Sequence, residues 1–187
     1  MILGITGTNG AGKGTAVKYL VDQKLFSHFS VRDLIVEEVL NRGLELTRTN
    51  IRNVGTEMRT KNSPAFFVKT FIEKFKEKGE EEAVIESIRT IAEAEYLREN
   101  GGVLISIDAS PQIRFERVSK REKSEVKNLT EFQAQEEAEY YAVPPEDPNQ
   151  MNVLETMKLA DITIVNDGSL EEFYAKIEAV LAQVNSH

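Results

Sequence analysis

Apolar residues recur along this chain in two ways, as short solid runs and as longer stripes at helical spacing, and their alternation predicts a layered α/β domain. Ile2-Leu3-Gly4-Ile5, Ala83-Val84-Ile85, Gly102 to Asp108 and Ile162 to Val165 read as strands, and Phe26 to Ser30 alternates apolar and polar positions as another. Between them run helical stripes: Val17, Leu20 and Val21; Leu34, Ile35, Val39 and Leu40 within Val31 to Leu40; Phe67, Val68, Phe71, Ile72 and Phe75; and, near the C-terminus, Leu170, Phe173, Tyr174, Ile177, Val180, Leu181 and Val184. Ser63-Pro64 is expected to start the third of these, with Ser as N-cap and Pro in the first turn. Ser110-Pro111 is expected to cap another helix, and capping boxes are expected at Thr90/Glu93, Thr130/Gln133 and Ser169/Glu172. Strands separated by helices imply a parallel sheet covered on both faces, which binds ligands at the carboxyl ends of its strands.

Composition narrows the class without naming a chemistry. A chain of 187 residues, 41% hydrophobic and 29% charged, suits one globular domain with a real core. Cysteine is absent and there are two histidines, so disulfides and thiolate metal sites are excluded. No apolar run approaches a membrane span and the N-terminus reads as a strand rather than a signal peptide, so a cytoplasmic protein with no membrane partner is expected. The net charge of −8 argues against nucleic acid as a partner. Yet all arginines lie between Arg32 and Arg121, as suits a phosphate-lined cleft.

The chemistry starts at Gly7-Thr8-Asn9-Gly10-Ala11-Gly12-Lys13-Gly14-Thr15, which lies where the first strand hands over to a helix. This is the context of a phosphate-binding loop: its glycines let the backbone amides curl inward, and the following helix adds the positive end of its dipole. Lys13 supplies a mobile charge for the outer phosphates, and Thr8 through Thr15 are the expected donor-binding residues. Gly14 stands where Ser or Thr is usual, and the hydroxyl arrives one residue later as Thr15, the candidate Mg²⁺ ligand.

The G-K-G-T ending resembles the adenylate-kinase-like branch of P-loop proteins, the nucleoside monophosphate kinases and their relatives. The resemblance extends along the chain and implies a three-layer P-loop NTPase fold, with five parallel strands in the order 2-3-1-4-5, a helical acceptor insert and a short lid. Its expected parts are a core of residues 1–30, 80–121 and 152–187, an acceptor-binding insert at 31–79 and a lid at 122–151. Glu86-Ser87-Ile88-Arg89 resembles the family's D-G-x-x-R stretch, with Glu for Asp and Ser for Gly. By that likeness Glu86 holds Mg²⁺ through water and Arg89 reaches the acceptor phosphate. Arg117 and Arg121, one turn apart, resemble the R-x-x-x-R at the base of the lid that covers the donor. No arginine follows them, so how such a lid would stabilise the transferring group is open.

Phe29-Ser30-Val31-Arg32-Asp33-Leu34 resembles the segment that opens the acceptor domain, but the family's arginine three residues past Asp33 is Val36 here. Arg32, Arg52 and Arg59 are the candidates to replace it. Asn166-Asp167-Gly168 resembles the loop that wraps the donor base, which makes Asn166 and Gly168 donor-binding candidates. His28 reads as a structural residue beside the second strand.

Stretches such as I-x-S-I-R-T-x-A-E-A-E-Y-L-R and A-D-I-T-I-V-N-D-G-S-L-E-E-F look like (deoxy)nucleotide kinase domains joined to deoxycytidylate deaminases, and the second also looks like dephospho-CoA kinase. The zinc-deaminase signature is missing. The expectation is therefore an ATP- and Mg²⁺-dependent kinase of a small nucleotide acceptor, a (deoxy)nucleoside monophosphate. One alternative is a dephospho-CoA kinase, whose hydroxyl acceptor needs a base, for which Asp33 is the candidate. Another is a nucleotide-binding regulatory module that hydrolyses slowly.

Overall fold

The computed structural model describes residues 1–121, 128–140 and 147–186. Its five-stranded sheet is β1 (Ile2–Gly7), β2 (Ser27–Ser30), β3 (Ala83–Glu86), β4 (Val103–Asp108) and β5 (Ile162–Val165), all parallel in the order β2-β3-β1-β4-β5. The helices are α1 (Lys13–Lys24), α2 (Val31–Asn41), α3 (Arg48–Lys61), α4 (Phe66–Lys78), α5 (Ile91–Glu99), α6 (Pro111–Ser119), α7 (Leu129–Tyr140), α8 (Val153–Lys158) and α9 (Leu170–Val184). Among the described residues no helix is long and apolar enough to cross a membrane.

Strand residues alternate between two cores because successive side chains leave a strand on opposite faces. Leu3, Ile5, Ile105, Ile107 and Ile164 pack with Val17 and Leu20 of α1 and with Phe173, Ile177 and Val180 of α9. Ile2, Ile85 and Leu104 pack on the other side with Ile35, Val54, Phe67, Phe71 and Leu97 from α2 through α5. The sheet therefore carries a helical layer on each face, and β1, at its centre, delivers Gly7 to the carboxyl edge.

Local starts differ from expectation in four places. α4 begins at Phe66 rather than at Ser63-Pro64; a turn closed by the Phe66 amide on the Ser63 carbonyl precedes it. Asn128, not Thr130, caps α7 by accepting the Glu131 amide, so that helix opens one residue early. Ser110 occupies the N-cap position of α6 but makes no side-chain cap bond; Pro111, which has no amide to satisfy, follows it. Thr90 caps the Glu93 amide, yet the carboxylate of Glu93 turns away from the reciprocal bond and serves Arg59 instead. Ser169 and Glu172 do form the full box. Of the expected lid at 122–151, residues 122–127 and 141–146 lie outside the described residues.

The polar, arginine-bearing stretch after α2 is a helix, α3, capped by Thr47 at the Asn50 amide. Ile51, Val54 and Met58 fall at helical spacing on its core side. Arg48, Arg52, Gly55 and Arg59 recur at i, i+4, i+7 and i+11, so they form one stripe on another face. Arg59 closes that stripe against the core. Its Nε donates to Glu93 Oε1 at 2.9 Å, with side chains only 2% and 0% exposed, and its guanidinium lies 4.8 Å from the centroid of the Phe67 ring. The second Glu93 oxygen accepts the Arg89 amide at 3.3 Å. One buried carboxylate thus docks the insert on the core and fixes the segment that follows β3.

A buried ion pair broken on one side leaves an uncompensated charge, which costs about 3–5 kcal/mol. Glu93→Ala is expected to destabilise the fold by that order in urea unfolding. A loss under about 1 kcal/mol would mean that Arg59 is accommodated without its partner.

Candidate functional site

The loop between β1 and α1 has the backbone its glycines permit. Gly7, Gly10 and Gly12 have φ of 135°, 81° and 108°, and a Cβ at Gly12 would fall 2.4 Å from Asn166 Nδ2. Gly12 is also the N-cap of α1; it supplies no capping side chain, and the first turn holds no acidic residue. The start of α1 is therefore closed by no capping side chain, the arrangement that suits an external anion, whereas α2, α3, α5, α8 and α9 are closed by their own side chains.

The carbonyls of the loop are held by side chains. Lys13 Nζ donates to the Gly7 and Thr8 carbonyls at 2.8 and 2.6 Å, Arg114 Nη1 reaches the Asn9 carbonyl at 3.4 Å, and the Ala11 carbonyl receives Asn166 Nδ2 at 2.8 Å and Arg117 Nη1 at 3.4 Å. Thr8 Oγ1 donates to Asp108 Oδ1 at the end of β4 at 2.5 Å. With these oxygens engaged, the shape of the loop is fixed beside the cavity.

That cavity, about 840 Å³, runs from the loop to the insert. Asn9, Gly10, Gly12, Lys13, Gly14 and Thr15 line one end, and Glu86, Ser87, Arg89, Arg117 and Arg121 line the wall below the sheet edge. Arg32 of α2 and the α3 stripe Arg48, Arg52, Gly55 and Arg59 face them, with Val31, Ile35, Ile51 and Met151 as apolar surface. Seven of the ten arginines in the sequence therefore meet in one cavity. Arg121 Nη1 contacts Asn9 Oδ1 at 3.3 Å; burial first, and then the charges of Arg48 and Arg32, lower its pKa from the ordinary arginine value. Cations that come together this way are positioned for an anion that bridges them.

Other sequence candidates lie elsewhere. Thr8 and Ala11 are buried behind the loop rather than in its lining. Asn166 is likewise buried, and its side chain braces the Ala11 carbonyl rather than facing the cavity. Gly168 is exposed and outside the lining, as is Asp33, whose backbone amide takes the Ser30 hydroxyl as its cap. Sequence reasoning missed Arg48, Asp108 and Arg114. The i, i+4 spacing of Arg48 with Arg52 was a usable signal for the first; nothing local marks the other two, whose partners are about a hundred residues away.

Glu86 ends β3 half-buried, with Oε1 3.3 Å from His28 Nε2. His28 foremost, then the Ser30 hydroxyl and the charge of Lys13, hold its carboxyl below the usual range against the opposing effect of burial. The carboxylate is thus ionised and shares the cavity with Thr15, so the pair offers the hard oxygen donors that suit Mg²⁺. Among the described residues no group of three His, Asp or Glu side chains could form an all-protein cage, and Mg²⁺ at such sites takes water and phosphate oxygens besides. His28, expected to be structural, is the neighbour that sets the ionisation of Glu86.

Ser87 is a second departure from the family pattern with a physical consequence. Its φ is 66°, the left-handed conformation that glycine adopts freely, so the serine carries strain of about 1–2 kcal/mol at the turn from Glu86 to Arg89.

Three outcomes follow from this geometry. Gly12→Ala is expected to abolish nucleotide binding measured by calorimetry, because both its φ and Asn166 oppose a Cβ. Gly14→Ala is expected to leave stability within about 1 kcal/mol, since no atom lies within 4 Å of its Cβ position, so any activity it loses reports ligand approach. Glu86 raises the pKa of His28, so that group's stabilisation is full below about pH 6.5 and is lost as pH rises through the raised folded value. Glu86, with its lowered pKa, contributes above about pH 4.5 and loses its contribution as pH falls through the folded value. In metal-free buffer the Tm gap between wild type and His28→Gln should therefore be widest between those two values and narrow toward alkaline pH; a gap that does not change with pH would contradict the pairing.

Comparison with known proteins bears on the fold and the family. Residues 3–142 match the AAA domain family. A UPF0200/UPF0201 protein of Archaeoglobus fulgidus is 34% identical over 158 residues, which is 81% of this chain but only 46% of that protein, so the chain spans about half of its length. UPF0200 proteins of Thermococcus sibiricus and Thermococcus kodakarensis are 30% and 28% identical and align over 95% and 100% of this chain, and over 92% and 99% of their own lengths. Among solved structures, shikimate kinase from Bacteroides thetaiotaomicron is similar with a TM-score of 0.61 at 14% identity, covering 99% of this chain and 98% of that one. Dephospho-CoA kinase from Campylobacter jejuni is similar with a TM-score of 0.53 at 17% identity, covering 98% and 96%. At these identities the structures share the P-loop small-molecule kinase fold. With a family model matched over residues 3–142 and relatives 30% or more identical over most of its length, the chain belongs to the AAA domain family and to the UPF0200 family.

Proposed function

We propose that the chain is an ATP- and Mg²⁺-dependent kinase whose acceptor is a small nucleotide that is already anionic, a (deoxy)nucleoside monophosphate. The observation that carries this reading is the basic character of the cavity: Lys13 and seven arginines line it, with Glu86 as the carboxylate among the described lining residues. Glu93 neutralises Arg59, and the other cations suit two facing sets of phosphates. The cations of α2 and α3 support the same reading. Arg32 and Arg48 stand in the first turns of their helices, where the helix dipole disfavours positive charge, so a bound anion relieves both.

A phosphate oxygen attacks as an anion and needs no general base, whereas a hydroxyl acceptor requires a carboxylate within reach of its proton. Asp33, the candidate base, is exposed and outside the cavity lining. In the proposed arrangement the loop amides and Lys13 hold the donor phosphates, and Arg117 and Arg121 flank the loop. Arg89, Arg32 and Arg52 take the acceptor phosphate, and Val31, Ile35, Ile51 and Met151 contact its uncharged part. Thr15 and Glu86 would hold Mg²⁺, which supplies charge neutralisation at the donor phosphates when bound. Arg48 and Arg32 lie close enough to Arg121 to offset the arginine-free sequence of the lid.

The test is ADP release from Mg²⁺-ATP with a panel of nucleoside monophosphates and dephospho-CoA. At least one monophosphate is expected to raise release well above the rate without acceptor, and Arg48→Ala and Arg89→Ala should each lower turnover by about 10²- to 10³-fold. Asp33→Asn should stay near wild type; a loss of about 10²-fold or more would assign the acceptor a hydroxyl instead. ATP consumption that no acceptor stimulates would favour a regulatory nucleotide-binding module.

A further inference from the structure

Arg114 stands on α6 one turn before Arg117 and takes no part in lining the cavity, yet it touches the phosphate loop twice. Its Nη1 reaches the Asn9 carbonyl at 3.4 Å, and its own carbonyl packs so closely on the loop that a Cβ at Gly10 would fall within 2.6 Å of it. The side chain is 7% exposed. Its Nε donates to the Ala109 carbonyl at 2.9 Å, and two further partners come from α7: the Glu136 carboxylate, itself 5% exposed, and the Tyr140 hydroxyl at 3.0 Å. Phe132 of α7 lies under the guanidinium, 5.5 Å from ring centroid to Cζ. Tyr140 also donates to Glu136, and burial together with that carboxylate keeps its hydroxyl protonated.

A second carboxylate waits on the other side. Asp108 lies 3.7 Å from Arg114 Nε and is the group that holds the Thr8 hydroxyl of the phosphate loop at 2.5 Å and the Ala109 amide at 2.8 Å. A buried guanidinium requires an anion. While α7 supplies Glu136, Asp108 stays with Thr8. Without Glu136 the nearest carboxylate for Arg114 is Asp108, and a contact there competes with the bond that anchors the loop.

We infer that Arg114 is a positioning residue through which α7 sets the shape of the phosphate loop, its guanidinium dividing its charge between Glu136 and Asp108. No described residue of α7 lines the cavity, so this influence on a nucleotide is exerted through Arg114 rather than by coverage. The inference rests on nucleotide binding at the loop, not on the identity of the acceptor. Coupling of this kind is reciprocal: a nucleotide that favours the anchored loop favours docked α7 to the same degree.

The test is a double-mutant cycle on MgADP affinity, measured by calorimetry on the full chain, with Glu136→Gln on α7 and Thr8→Val in the loop. Each single variant is expected to weaken MgADP binding by about 5- to 150-fold, and the double variant to bind no more weakly than the poorer single. Tyr140→Phe replaces Glu136→Gln in the cycle if the latter does not fold. A structural role for Glu136 alone would lower Tm and leave the affinity for MgADP intact. Wild-type affinity in the α7 variant, or effects that multiply in the double variant, would overturn the inference and leave nucleotide binding standing. Wild-type protein that binds neither ADP nor ATP would overturn both.

Discussion

A phosphate loop keeps a shape that can receive a ligand only if its carbonyl oxygens are satisfied, and that constraint organises this molecule. Carbonyl oxygens taken from water are polar groups, and each requires a donor. Lys13, Arg114, Arg117 and Asn166 provide them for Gly7, Thr8, Asn9 and Ala11. The donors come from α1, from α6 and from the end of β5, so the loop is correctly shaped only where the parallel sheet brings these elements to one edge. The start of α1, without a capping side chain, is the complement of those filled carbonyls.

Arginine serves two purposes in this structure. Arg59 and Arg114 are buried, each paired with one buried glutamate, and each joins two parts of the fold: α3 to α5 in one case, α6 to α7 in the other. Such pairs add little net stability relative to an apolar contact but are costly to break on one side, so they fix a geometry more than they strengthen it. Arg32, Arg48, Arg52, Arg89, Arg117 and Arg121 instead converge on the cavity, and there the mutual repulsion of Arg121 with Arg48 and Arg32 is the cost of a site arranged for anions. Both kinds occur in the same helices, since a helix that carries a basic face toward a ligand needs at least one of its cations anchored.

Much of the fold was legible because strands and helices announce themselves in hydrophobic period and because a strand followed by a glycine-rich turn and Lys13 has a narrow set of structural contexts. The helices between β2 and β3 and the C-terminal helix follow from such local patterns, whereas the strand order came from the resemblance to P-loop kinases. Helix starts were less legible. Ser63-Pro64 has the composition of a cap but closes a turn, and Thr130 lost to Asn128 because either side chain could bond an amide three residues on. Glu93 carries a capping-box signature, yet a guanidinium from α3 is the stronger partner for a buried carboxylate than a backbone amide.

By itself, then, the sequence determined the phosphate loop, the three-layer architecture and a basic middle third, because each is encoded in contiguous residues and their spacing. Tertiary structure decided which basic residues face a ligand and which hold the protein together. Arg59 and Arg89 look alike in sequence, and so do Arg114 and Arg117; burial separates Arg59 from Arg89 and Arg114 from Arg117. His28 acquired its bearing on Glu86, and Asn166 its hold on Ala11, the same way, across strand neighbours or some 155 residues of chain. Pairing energies of this kind depend on distance and dielectric in space, and the order of residues along the chain carries neither.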